Sequence, residues 1–167
     1  MRESLDLERA WTAIIVGLMV LLTGYMAMQL GVIPAVWSDD QATVTISDNG
    51  DERLTVDAEV ADTYDQRYTG LSEHDSLEPD TGMLFVHWRE AERTYVMRGM
   101  DFDIDIIFIG ADQRVTTIHH AEAPGPGEDG EELQYTGDAR WVLEVPAGTV
   151  EEAGIDDGDR VEIDTDP

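Results

Sequence analysis

The chain has 167 residues, with 37 Asp and Glu against 10 basic side chains and a formal charge of −27, and every basic residue is an arginine. Such a surface repels phosphate, which argues against nucleic acid as a partner. Acids spread between apolar runs without any lysine point to a protein suited to concentrated salt, where the Debye length falls to about 3 Å at 1 M and self-repulsion is screened.

From Ala10 to Trp37 there is no charged side chain, and the run is long enough to cross a bilayer as a helix. Residues 1–9 are expected to be a cytoplasmic N-terminus and 10–37 a transmembrane helix. Arg2 and Arg9 precede the run and the next positive residue is Arg53, so the positive-inside rule puts the C-terminal domain outside. The expected location is the cell membrane, spanned once. Glu3, Asp6 and Glu8 in the leading segment, and the lack of a small-x-small cleavage site, argue against a removed signal peptide.

Residues 38–53 read as a linker and first strand, and 54–164 as the body of one β domain. Ala42 to Ser47 alternates polar and apolar, turns at Asp48-Asn-Gly-Asp51 and returns through Val60, which predicts a hairpin. Thr63 and Gln66 fit a capping box, and Gly70 is placed to end a short helix. Met83 to Trp88 predicts a strand, Arg89 to Glu92 a turn, and Arg93 to Met97 a strand pairing back.

In the run Phe102 to Ile109, the even positions form one apolar face while the odd positions pass from Asp103 and Asp105 to Ile107 and Ile109. Asp105 therefore belongs where a strand enters the core. Val115 to His120 is its hairpin partner. Ala121 to Ala139 is a long acidic loop expected to be mobile, with a lid as the sharper alternative. Arg140 to Val145 resumes the strand pattern, Thr149 to Ala153 makes a helical turn closed by Gly154, and Arg160 to Asp164 is the last strand. The expected fold is mainly β with small α content, a single compact antiparallel barrel or sandwich preceded by one transmembrane helix.

Several short motifs resemble the uncharacterised family called domain of unknown function 192. They are Arg67-x-x-Gly70-Leu71, Gly82-Met-Leu-Phe85, Met97-Arg98, Asp105 to Ile109, Trp141-Val-Leu-Glu144 and Gly154-Ile-x-x-Gly158-Asp-x-Val161. The resemblance implies a small, mostly β domain, often secreted or membrane-anchored, with no established activity, and the lack of lysine makes the chain look like a haloarchaeal member. It departs from the family pattern where Gly99 and Met100 replace an amide and a threonine, and where Ser72, His74 and His87 stand for Met, Arg and Phe.

A carboxylate entering a core needs a partner, and Arg98, seven residues before Asp105, is the expected one. As a structural pair they would fix the bend at Gly99. As a site, Met97, Arg98, Asp105 and His120 are the candidate ligand-binding residues, and Asp105, Arg98 and His119 the candidates for catalysis. Adjacent residues on a strand face opposite ways, so His119 and His120 are not expected to ligate one metal together. No metal or cofactor is expected. No nucleophile with a base and an orienting group is recognisable, so a binding module for a small molecule or envelope component leads, with a hydrolase using Asp105, Arg98 and a nearby histidine as the alternative.

Overall fold

The structure, a computed structural model, describes residues 41–165. Strands β1 (Gln41–Asp48) and β2 (Asp51–Ala61) make the expected hairpin, turning at Asn49 and Gly50 with φ of +49° and +91°. A two-residue type I′ turn needs both central residues in the left-handed region, and Asn-Gly supplies them at little cost. Helix α1 (Tyr64–Thr69) begins with the predicted capping box: Gln66 N–H donates to Thr63 Oγ1 at 3.3 Å and Thr63 N–H to Gln66 Oε1 at 3.0 Å. The Gly70 N–H closes it on the Gln66 carbonyl.

Then follow β3 (Thr81–Val96), β4 (Ile104–Ile109), β5 (Val115–Ala121), β6 (Gln134–Pro146), the short helix α2 (Thr149–Ala153) and β7 (Arg160–Thr165). All seven strands form one sheet in the order β5-β4-β6-β3-β2-β1-β7. The fold is therefore mainly β with little helix, but an open sheet takes the place of the expected closed barrel or two-sheet sandwich. Its two edges meet only at a corner, through an Arg114–Arg160 bridge and backbone bonds such as Val115 N–H to Asp159 O at 2.9 Å. Pairing is antiparallel except between β2 and β3, which run parallel with the α1 segment as their crossover. Strand β1, grouped with the linker on sequence, is an integral part of the sheet.

The segment Arg89–Glu92 is not a turn. It continues β3, whose pairing with β6 is irregular between Val86 and Ala91. Polar side chains on both faces of an exposed strand arm mimic a turn in a period-2 reading. Likewise the loop after β5 is shorter than expected, because β6 begins at Gln134. It is also docked: Met97 N–H donates to Gly130 O at 3.0 Å, and a Cβ on Gly130 would stand 2.2 Å from the Met97 carbonyl oxygen.

Both faces of the sheet carry apolar clusters. Ile107, Ile109, Leu143 and Val145 face one, and Ile106, Phe108, Val142 and Phe85 face the other. Every residue of β4 is thus buried. Among the described residues no helix is long and apolar enough to cross a membrane, and the span predicted at 10–37 lies outside them.

Candidate functional site

Asp105 is buried at the start of β4, as its place in the alternation predicts, but its partner is not Arg98. Its Oδ1 accepts a hydrogen bond from His120 Nδ1–H at 2.8 Å, and its Oδ2 accepts the Val150 N–H at 2.9 Å. The register explains this: Asp105 stands directly opposite His120 on β5, and α2 packs over the same strand end. Arg98 lies beyond the Gly99 bend, where Nη1 donates to Glu131 Oε1 at 3.4 Å and Nη2 to the Tyr68 carbonyl. Its guanidinium also stacks 3.9 Å above the Tyr68 ring. Seven residues that include a left-handed glycine are enough to turn the two charges to different sites.

The bond to Asp105 raises the His120 imidazole above its usual range; partial burial opposes this, and the charges of Asp105, Asp103 and Glu122 add to it. Asp105 and His120 open together into a cavity of about 410 Å³ walled by Ile118, Val150, Glu151 and Asp156. None of these carries a hydroxyl or thiol nucleophile. His119 faces the other way, as expected from alternation, and bonds the Thr136 carbonyl at 3.0 Å between Phe108 and Tyr135. Met97 is fully buried core. The structure therefore splits the sequence candidates into an Asp105–His120 pair, an Arg98 elsewhere, and two packing residues. Among the described residues no group of three His, Cys, Asp or Glu is arranged to hold a metal ion.

A second cavity of about 410 Å³ receives Arg98 and contains residues that sequence reasoning left outside the site. Arg67, Gly70, Phe85, Arg98 and Glu144, from four of the separated motifs quoted above, line it together. Glu144 projects from β6 opposite Met83 of β3 and Ile106 of β4, so its carboxyl group sits on the apolar face of a doubly paired strand. It is 6% exposed, and burial pushes its pKa up to about 8. At neutral pH it is a neutral acid, able to donate a hydrogen bond.

Around it, Tyr95 OH and His87 Nε2 lie 3.1 Å apart. Burial first, then Arg93 and Arg67, hold His87 down at about 4, so the imidazole is neutral and shares one hydrogen bond with the phenol, its direction set by the tautomer. Burial, and then Glu144, keep the Tyr95 phenol well above its usual range. Arg67 donates through Nη1 to the carbonyls of Asp62 and Val86, and Arg93 through Nη2 to Arg89 O at 2.8 Å. Neither arginine forms an ion pair among the described residues, although the chain carries 37 acids.

A signal for this site was present in the sequence. Glu144 interrupts the apolar run Trp141-Val-Leu-Glu-Val145 just as Asp105 interrupts its own, but in so acidic a chain one more carboxylate does not stand out.

The profile of the DUF192 family, described as Uncharacterized ACR, matches residues 44–163. Similar crystal structures have been solved, two of them as follows. One, from Sinorhizobium meliloti 1021 and described as a proposed transcription regulator, is 29% identical with a TM-score of 0.65, covering 74% of this chain and 92% of its own. The other, a protein of unknown function from Novosphingobium aromaticivorans DSM 12444, is 29% identical with a TM-score of 0.66, covering 77% and 89%. No curated protein matches the chain.

Proposed function

This chain belongs to the DUF192 family, and from that premise we propose that it is a membrane-tethered, extracytoplasmic binding module whose small-molecule ligand enters the Glu144 cavity. The observation that carries the reading is the convergence of motif residues from α1, β3, β6 and the Arg98 bend on one concave, half-apolar site. Pockets of this size with a few polar groups aimed inward are the usual form of a ligand site. A role in transcription is not carried over from the Sinorhizobium protein, because a charge of −27 opposes phosphate binding.

A hydrolase is the second reading, and one observation favours it: Asp105 orients His120 with Nε2 open to a cavity. Arg98 has no part in that version. Lacking a side-chain nucleophile, it requires His120 to activate a water molecule as general base.

The decisive measurement is a thermal-shift screen of small molecules on the full-length chain in detergent, with Arg93→Glu and His120→Ala beside the wild type. Responses that vanish in Arg93→Glu and survive in His120→Ala place the ligand in the Glu144 cavity. The reverse pattern favours the hydrolase, and responses untouched by both variants defeat either site.

The setting rests on the uncharged run 10–37, the Arg2 and Arg9 asymmetry and the absence of lysine. The full-length chain is expected to stay with carbonate-washed membranes. Its cooperative melt is expected to disappear on dialysis from about 2 M to about 0.1 M salt, where the Debye length grows from under 3 Å to about 10 Å and the acids repel one another. A soluble chain, or a melt retained at low salt, would contradict the corresponding half of this setting.

A further inference from the structure

The geometry points to a carboxylate-bearing molecule with an apolar body as the ligand of the Glu144 cavity, its carboxylate clamped by Arg67 and Arg93 and met by the Glu144 carboxyl group. The inference rests on the binding reading above and names its ligand class.

Three of the chain's ten arginines line this one cavity. Their hydrogen bonds within the protein leave donors unused. Arg67 engages backbone carbonyls through Nη1 alone, which frees Nη2 and Nε. Arg93 uses Nη2 and, at 3.5 Å, Nε, which frees Nη1. Arg98 spends both terminal nitrogens on Tyr68 and Glu131, and its charge is balanced by Glu131, so it lines the cavity without serving as a clamp. Guanidinium groups anchored by carbonyls keep their full positive charge and a fixed direction, which suits a planar carboxylate.

Glu144 adds selectivity. A buried acid in its neutral form donates one O–H, and a ligand carboxylate is the acceptor that lets two carboxyl groups share a single proton. A neutral amide of the same shape would leave the arginines without an anion. Leu71, Phe85, Met100 and Ile104 make part of the wall apolar, which suits a hydrocarbon or aromatic body rather than a second charge. Glu92 on the rim repels dianions further.

The test is isothermal titration of the full-length chain in detergent with acetate, phenylacetate and decanoate, and with the amide of each, at pH 6 and pH 9, where all three acids are ionised. At least one of the larger acids is expected to bind at pH 6, its amide at least tenfold more weakly. Affinity of the wild type is expected to fall at least tenfold at pH 9, as Glu144 ionises and repels the ligand. In Glu144→Gln, which keeps an N–H donor and cannot ionise, the acid should bind nearly equally at both pH values. Arg93→Gln should lose the acid.

An amide that binds as tightly as its acid overturns the ligand class while leaving the cavity as a binding site. No response to any of the three acids also overturns the class, and the thermal-shift screen then decides the cavity separately. An equal pH dependence in wild type and Glu144→Gln removes Glu144 from the recognition.

Discussion

Glu144→Gln is expected to flatten the dependence of stability on pH, leaving the variant more stable than the wild type above about pH 8. The folded protein holds the Glu144 proton up to about pH 8, whereas the unfolded chain releases it near the ordinary glutamate value of 4.5. Below pH 4.5 both states are protonated and the residue contributes no pH dependence. Between 4.5 and 8 the folded state carries a proton that the unfolded state has lost, so stability falls as pH rises, and above 8 the loss is complete. A displacement of this size corresponds to a penalty on the order of 5 kcal/mol, at about 1.4 kcal/mol for each unit.

The remaining acids titrate alike in the wild type and the variant, so their effect cancels in the difference. Denaturant unfolding at pH 5, 7 and 9 should show the two chains diverging steadily. Parallel profiles would mean that Glu144 is ionised in the folded state, with a cation beside it. The same carboxyl group would then be a poor donor to a ligand, so the stability measurement bears on recognition as well.

Why this residue escaped sequence reasoning while Asp105 did not is a matter of context. Both sit in apolar runs that alternation assigns to a core. Asp105 was visible because Asp103 and Ile107 flank it on the same face and mark a boundary. Glu144 lies inside its strand with no such gradient, and its neighbours Met83 and Ile106 come from two other strands. Elements set by local chemistry were legible: the Asn49-Gly50 hairpin, the Thr63–Gln66 capping box and the turn closed by Gly154 all form where their residue types demand.

Features set by distant pairing were not legible. Nothing within β2 or β3 announces that they run parallel, and the meeting of the sheet's edges joins residues about 46 positions apart, at Arg114 and Arg160. The Arg98–Asp105 pairing failed for the same reason, since the register opposite β4 supplied His120 as a closer partner. That correction moves the cationic half of the candidate site to a different cavity, where the buried acid is Glu144.

The fit between β3 and β6 that positions Glu144 can be broken at one atom. Gly82→Ala is expected to cost about 3 kcal/mol or more and to lower the melting temperature by on the order of 10 °C. A Cβ on Gly82 would lie 2.4 Å from the Glu144 carbonyl oxygen and 3.2 Å from methyl carbons of both Val145 and Val56. The nearest atom is backbone, so no side-chain rotation relieves the contact, and the two strands must separate where Met83 faces Glu144. Gly125→Ala is the control: its nearest neighbour is the flexible end of Glu128 at 3.5 Å, and the substitution should change stability by less than about 0.5 kcal/mol. If both variants melt within a degree or two of the wild type, the strands are not held as closely as this contact requires. If only Gly82→Ala falls, a movement of β6 should also let water reach Glu144, so its pH-dependent divergence from Glu144→Gln should shrink when measured in the Gly82→Ala background.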